Sequence, residues 1–145
     1  MKKICLIALM VLITVVFSGC GGGQSKELSK KDLVMIYNSL NSRYIEVIDF
    51  YEALQDKTIS KFNWRIIADS AKSSSQRAIE TVKDSTDPMV PTLIEIAEDI
   101  IALTEELEGD VDYGKEADWS YKEKIEQNLE ELAPEINEIK KELLE

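Results

Sequence analysis

The sequence contains no histidine, and its only cysteines are Cys5 and Cys20. Without histidine the chain cannot form a Ser-His-Asp triad, a histidine proton shuttle, a histidine-containing zinc site or the Glu-x-x-His di-iron site of ferritin-like bundles. Both cysteines lie within the first twenty residues, so no disulfide can cross-link the rest of the chain. A domain formed by the remaining residues must therefore be stabilised by its hydrophobic core.

Positive charge is also scarce, since 17 Lys and Arg stand against 28 Asp and Glu and give a net charge of −11. This balance argues against nucleic acid, which requires a basic face, and against tight docking on anionic lipid headgroups. The remaining partner classes are cationic proteins, cationic peptides and divalent metals.

The acidic residues are concentrated in the second half of the chain. Residues 20–79 contain 9 bases and 7 acids, whereas residues 80–145 contain 6 bases and 21 acids. Two interpretations are open: the helices of the second half have wide solvated acidic faces, or they form an acidic recognition surface.

The first twenty residues have the organisation of a secretory signal. Lys2 and Lys3 form a short positive segment, and an apolar run of 14 residues follows from Ile4 to Phe17. A helix of that length spans roughly 21 Å, which is shorter than the ~20 residues that cross a bilayer. The pattern therefore predicts a cleaved signal peptide and not a membrane span.

The signal ends in Phe17-Ser18-Gly19-Cys20, which resembles the lipobox of bacterial lipoproteins, with Phe17 where leucine is usual. The resemblance implies that the Cys20 thiol receives a diacylglycerol, that cleavage makes Cys20 the N-terminus, and that acyl chains such as palmitate anchor the protein in the bilayer. It further implies a location on the extracytoplasmic face of the cell membrane, and it leaves no cysteine free for a disulfide.

Three segments are predicted from this organisation. Residues 1–19 are the cleaved signal peptide, and residues 20–29 are the lipidated cysteine with a flexible tether that contains Gly21-Gly22-Gly23. Residues 30–145 are a single acidic helical domain, which is long enough for one core.

Hydrophobic periodicity predicts four helices of nearly equal length joined by short connections. Apolar residues alternate at spacings of four and three in the first helix, at positions Leu33, Tyr37, Leu40, Tyr44, Val47, Tyr51 and Leu54, and in the last, at Ile125, Leu129, Leu132, Ile136, Ile139 and Leu143. The predicted fold is an all-α, up-down-up-down four-helix bundle whose fourth helix is kinked or broken near Pro134. Alternatives are a three-helix core crossed by the fourth helix, and pairing of the helices between chains.

Local signals place the helix ends. A capping box at Ser29-x-x-Asp32 begins the first helix near residue 30, and Ser60 is the predicted N-cap of the second, which runs to about residue 84. Asp87 before Pro88 predicts the start of the third helix, and Gly109 its end. A capping box from Ser120 to Glu123 competes with Asp118 as the cap of the fourth helix, which is therefore predicted to begin between residues 118 and 121.

Candidate binding residues lie on the first two helices. Tyr37, Tyr44 and Tyr51 recur every seven residues, and Ser75 lies on an unusually small inner face of the second helix. Core packing with each hydroxyl at the bundle edge is one interpretation of the tyrosines, and a small-molecule pocket between helices 1 and 2 is the other.

The acidic loop at 109–118 could supply oxygen ligands to calcium. It departs from the EF-hand pattern at three positions, so a solvated connection is predicted and no metal site.

The functional expectation is a membrane-anchored helical interaction module for a cationic protein or peptide in the cell envelope. The alternative is a small-ligand-binding bundle with a pocket between helices 1 and 2. Because no acid or base with an oriented partner can be identified, no enzymatic activity and no cofactor are expected.

Replacing Cys20 tests the lipobox. Cys20→Ala removes the thiol that would accept the diacylglycerol, so we expect the protein to lose metabolic labelling by fatty acid and to leave the membrane fraction. Cys5→Ala, which changes the predicted signal peptide but keeps the lipobox, serves as the control. Unchanged labelling of Cys20→Ala would refute the lipobox interpretation.

Overall fold

The structure is a computed structural model that describes residues 27–145. It contains four helices, α1 (Lys30–Gln55), α2 (Lys61–Val82), α3 (Val90–Tyr113) and α4 (Ser120–Glu142), and no strand within the described residues. Sequential helices pack against one another, α4 closes against α1, and α3 also contacts α1 across the core. The predicted all-α, up-down-up-down four-helix bundle is confirmed. Cys20 and the rest of the lipobox lie outside the described residues.

The apolar seams predicted from the sequence form the core. In α4 the seam residues from Ile125 to Ile139 are buried, while Leu143 beyond the helix is exposed. In α1 the seam is buried from Leu33 to Val47, and Tyr51 and Leu54 are partly buried at its end. The spacing of four and three keeps these side chains on one side of each helix, which is why periodicity alone located them.

The predicted N-caps of the first two helices are confirmed. Ser29 and Asp32 form a reciprocal capping box, in which each side chain accepts a hydrogen bond from the other residue's backbone N–H. Ser60 Oγ accepts from the backbone N–H of Asn63 at the start of α2. These bonds satisfy backbone donors that have no partner within the helix.

The predicted N-cap of α3, Asp87, was wrong, while the start itself is predicted only to within several residues because of Pro91. The helix begins at Val90 with Pro91 in its first turn, and the Asp87 side chain instead closes a turn before the helix by accepting from the backbone N–H of Met89. Proline is tolerated in the first turn because its missing N–H would have no helical acceptor there.

The predicted end of α3 was also wrong, because the helix continues through Gly109 and ends at Gly114. Gly114 adopts a left-handed conformation with φ of 63°, which glycine reaches without a Cβ clash. Tyr51 of α1 and Arg65 of α2 bind side chains in the last turn of α3, and these bonds extend the helix past the expected stop.

The fourth helix is a single helix from Ser120 to Glu142 that contains Pro134, so the alternative of a break into two helices is absent. Pro134 and Glu130 are both exposed, and the Glu130 carbonyl that loses its helical donor can therefore be hydrated. The helix start agrees with the prediction, but the capping box from Ser120 to Glu123 does not form. Asp118 instead accepts from the backbone N–H of Ser120.

A membrane-spanning helix needs length and apolar character together. Within residues 27–145 no helix combines the two to the degree required to cross a bilayer.

A charge on the α4 seam should unfold the bundle. Leu129 is buried, so Leu129→Asp would bury a carboxylate and lower the free energy of unfolding by about 3 kcal/mol or more. Gln127→Asp adds the same charge two residues away at an exposed position and should change stability little. Urea denaturation followed by circular dichroism measures both, and equal midpoints for the two variants would contradict the packing of α4.

Candidate functional site

The three predicted tyrosines lie on α1, with their rings in or beside the core and their hydroxyls bonded to other helices. The Tyr37 hydroxyl donates to the backbone carbonyl of Leu129 at 3.0 Å. The Tyr44 hydroxyl donates to Glu126 Oε1 at 2.5 Å, and the Tyr51 hydroxyl to Asp110 Oδ2 at 2.6 Å. The predicted packing of the rings in or beside the core is confirmed. The Tyr44 and Tyr51 hydroxyls bond at the partly buried edge of the bundle, whereas the Tyr37 hydroxyl is buried and not at the edge. These bonds tie α1 to both α3 and α4.

Burial and these bonds keep the tyrosines protonated. Burial raises the pKa of Tyr44, and the hydrogen bond to Glu126 raises it further. Burial and the bond to Asp110 raise the pKa of Tyr51 to about 12. A phenol that already donates to a carboxylate, and that ionises only at high pH, is a structural hydrogen-bond donor and not a base or nucleophile at neutral pH.

Ser75 lies on α2 and is fully buried, like its neighbours Ala68 and Ala71 on the same inner face. Their complete burial indicates close helix packing at these positions. The Tyr44 and Tyr51 hydroxyls point to partners on α4 and α3, so they form no hydrogen bond with Ser75. The small-molecule pocket between α1 and α2 stays a prediction.

Basic side chains of α2 engage the C-terminal part of α3. Arg65 pairs with Asp112 at 2.8 Å, and Lys72 pairs with Glu108 at 2.6 Å. Lys61 donates to the backbone carbonyl of Val111, one of the last carbonyls of α3. Three of the four basic side chains of α2 are thereby engaged by α3, and the fourth, Arg77, is exposed.

The acidic stretch considered for calcium is divided between a helix and a connection. Asp110 accepts from Tyr51 and Gln55, and Asp112 is paired with Arg65. The described part of the chain contains no group of three or more carboxylate or cysteine side chains that could hold a metal ion. Asp110 and Asp112, the two acids of this stretch that lie in α3, are therefore bonded to side chains of α1 and α2.

The neighbouring helices α3 and α4 carry a surface of one charge sign. α3 contains eight acids and no base, and residues 125–139 of α4 contain five acids and no base. Seven of these residues are exposed and form no ion pair with any residue between 27 and 145. One of them, Glu105, lies on the side of α3 that faces Lys72 of α2. The other six are here named the acidic surface, and they are Glu95, Glu98, Glu130, Glu131, Glu135 and Glu138.

Asp99 is the buried carboxylate beside this surface. It is 8% exposed, and its Oδ2 is enclosed with no hydrogen-bond partner among the described residues. Burial raises the pKa of Asp99; the positive charge of Lys124 opposes this shift, while the negative charges of Glu95 and Glu98 reinforce it. Its ionised form is thus held in an environment that destabilises it.

Sequence periodicity predicted a narrower apolar stripe for α3 and therefore missed Asp99 as a buried residue. The predicted stripe consisted of Val90, Leu93, Ile94, Ala97, Ile100, Ile101, Thr104 and Leu107. The structure also buries Ile96 and Leu103, which with Asp99 are spaced three and four residues apart. This spacing of three and four residues was the sequence signal that could have placed Asp99 on the buried side of the helix. A helix that contacts α1, α2 and α4 buries more of its circumference than a seam between two helices.

A second exposed surface lies where α1 joins α2 and α3 joins α4. Tyr51 packs edge-to-face against both Trp64 and Trp119, with ring centroids 5.7 and 5.8 Å apart. Phe62 and Tyr113 at the same end are 71% and 87% exposed. The aromatic stack closes this end of the core, and the two exposed rings lie outside it.

Comparison with known proteins identified no relative. No protein-family model matches the chain, and no curated protein or solved structure matches it.

Replacing Asp99 should stabilise the domain in a pH-dependent way. Asp99→Asn removes a buried charge at nearly constant shape, so at pH 7 the free energy of unfolding should rise by about 1 kcal/mol. Because the folded-state pKa is raised, the wild-type penalty exists only where the carboxylate ionises. The gain should therefore shrink as the pH falls through the folded-state pKa, and it should vanish below the ordinary pKa of an aspartate.

Urea denaturation of both proteins across this pH range measures the difference. Glu131→Gln removes an exposed charge of the acidic surface that does not act on the pKa of Asp99, and it controls for general relief of acidic repulsion. Equal gains from the two variants, or a gain from Asp99→Asn that does not depend on pH, would show that burial of Asp99 carries no penalty.

Proposed function

We propose that this protein is a lipid-anchored lipoprotein on the extracytoplasmic face of the cell membrane, and that its bundle is an interaction module for a cationic protein or peptide of the cell envelope. The observation that carries the proposal is the acidic surface of α3 and α4, with six exposed carboxylates and no base among them.

The distribution of ion pairs supports an external partner. Where acids of α3 face α2, the domain supplies Arg65 and Lys72 as internal partners. On the acidic surface it supplies none from residues 27–145. A single exposed ion pair adds little binding free energy. A surface of one charge sign, however, produces an electric field that speeds association with an oppositely charged partner and repels proteins of the same charge.

The proposed anchor fits this arrangement. A tether of about ten residues after Cys20 reaches at most ~35 Å when extended. Since α1 begins at Lys30, the tether joins one end of the bundle, and α3 and α4 run along its side for roughly 35 Å. The acidic surface would lie beside the membrane-attached end and remain accessible to envelope proteins, while its charge disfavours adsorption to anionic lipids.

We propose no catalytic activity. The alternative of a small ligand held between α1 and α2 is tested separately, because a bound ligand would raise the melting temperature at any ionic strength.

The proposal predicts that partner binding is electrostatic. Crosslinking pull-down with the full-length lipoprotein, from envelopes of its source organism, should recover a discrete basic protein or peptide at about 50 mM salt. The same species should be lost at about 500 mM salt, where the Debye length falls to roughly 4 Å.

Matched variants show whether the acidic surface is responsible for recovery of the basic partner. One variant removes four charges from α4, by Glu130→Gln, Glu131→Gln, Glu135→Gln and Glu138→Gln. The control removes four exposed charges elsewhere, by Asp49→Asn, Glu52→Gln, Asp56→Asn and Asp69→Asn. We expect recovery to fail only for the α4 variant. Recovery that is insensitive both to salt and to the α4 substitutions would refute the proposal.

A further inference from the structure

The inner face of α2 consists mostly of small side chains. Its buried residues are Trp64, Ala68, Ala71, Ser75 and Val82. By contrast, the five buried residues of α4 are all leucine or isoleucine, and most of those in α3 are large aliphatic residues. Because apolar stabilisation scales with the side-chain area removed from water, α2 gains less from the core than α3 or α4, apart from the contribution of Trp64.

Two enclosed polar atoms on this inner face lack hydrogen-bond partners. They are Trp64 Nε1 and Ser75 Oγ, and both residues are fully buried. In the part of the chain that the structure describes, the other enclosed atom without a partner is Asp99 Oδ2 on α3. A buried polar group without a partner destabilises the closed state by its desolvation penalty, and it regains hydrogen bonds with water when it is exposed. The two atoms on α2 therefore favour an open position of this helix.

The side-chain bonds between helices also set α2 apart from the other three. Tyr37 and Tyr44 join α1 to α4, and Tyr51 joins α1 to α3. Among residues 27–145, no side-chain hydrogen bond or ion pair joins α2 to α1, and α2 does not pack against α4. The tyrosines thus hold α1, α3 and α4 together without any contribution from α2.

The bonds that α2 does form run to α3, and they come from basic side chains. Lys61 and Arg65 are exposed, whereas Lys72 is half-buried. Exposed ion pairs contribute little to stability, and salt screens them further. The run Ser73-Ser74-Ser75 adds a weak helix-forming stretch in the middle of α2. Its attachment to the bundle therefore depends on small apolar contacts and on bonds that water can replace.

We propose that α2 is a lid of the bundle, which opens from α1 and α3 as one unit while α1, α3 and α4 stay packed. The connections at its two ends, residues 56–60 and 83–89, are the segments that bend. Opening exposes the inner faces of α1 and α3 to solvent and hydrates Trp64 Nε1 and Ser75 Oγ. The acidic surface lies on α3 and α4 and is kept in the open state, so this inference does not depend on the proposed function.

Hydrogen exchange under native conditions measures the opening of each helix separately. The full-length protein in neutral detergent is labelled in deuterated buffer, and mass spectrometry of its peptides gives the protection factors of the backbone amides. We expect the central turns of α2 to be protected at least tenfold less than those of α3, because locally opening units exchange without global unfolding. Equal protection of α2 and α3 would overturn the lid.

Tyrosine variants distinguish opening of α2 from unfolding of the whole bundle. Tyr44→Phe removes the hydrogen bond from α1 to Glu126 of α4 and keeps the ring, so protection in α3 and α4 should fall about fivefold. This bond stays formed when α2 alone opens, so protection in α2 should change by less than about twofold. Tyr37→Phe, which removes the bond to the Leu129 carbonyl, should give the same pattern. An equal fall in α2 would show that it opens only with the whole bundle, and the proposal would fail.

A matched pair of serine variants tests the cause of the opening. Ser75→Ala removes the enclosed hydroxyl, whereas Ser73→Ala makes the same chemical change at an exposed position of α2. Both variants gain helix propensity, but only Ser75→Ala also removes a desolvation penalty. We expect the gain in α2 protection to be about fivefold larger for Ser75→Ala than for Ser73→Ala. Equal gains would show that the buried hydroxyl carries no penalty and would overturn the inference.

Discussion

Burial of apolar side chains around α3 is the interaction on which the rest of this structure depends. The described residues contain no cysteine and no histidine, so neither a disulfide nor a histidine-bound metal can hold the helices together. α3 contacts all three other helices, and its buried side chains extend from Val90 at its start to Leu107. At roughly 25 cal/mol for each Å² of apolar surface, these seams supply most of the favourable free energy of folding. The polar features of the domain are arranged around this core.

The electrostatic organisation follows from the position of α3. Its acids meet bases on α2, where Arg65 and Lys72 pair with them, and they meet tyrosine and glutamine donors on α1. On the solvent side shared with α4, no base of residues 27–145 forms an ion pair with the acidic surface, although the charge of Lys124 acts on Asp99. The domain therefore neutralises its acidic helix on the sides that pack and leaves one side negative. This asymmetry connects the packing of the bundle with its proposed role as a receptor for cationic partners.

Asp99 shows how strongly a single enclosed carboxylate can oppose stability in a small domain. The free energy of unfolding is only several kcal/mol, because apolar burial and the loss of conformational entropy nearly cancel, so one enclosed carboxylate changes a considerable fraction of it. An apolar residue at this position would extend the stripe formed by Ile96 and Leu103. An ionised carboxylate there is unfavourable in the folded domain, because its enclosed oxygen has no hydrogen-bond donor among the described residues.

The sequence by itself determined the helical class, the four apolar seams and the caps at Ser29 and Ser60, because these depend on residues within one or two turns of each other. The lipobox was likewise a local pattern, and it lies outside the described residues. Tertiary structure decided the rest. α3 passes Gly109 because Tyr51 and Arg65 hold its last turn from 47 to 59 residues away in the chain. The partners of the tyrosine hydroxyls and the burial of Asp99 also depend on how the helices rotate against one another, and a local pattern does not encode that rotation.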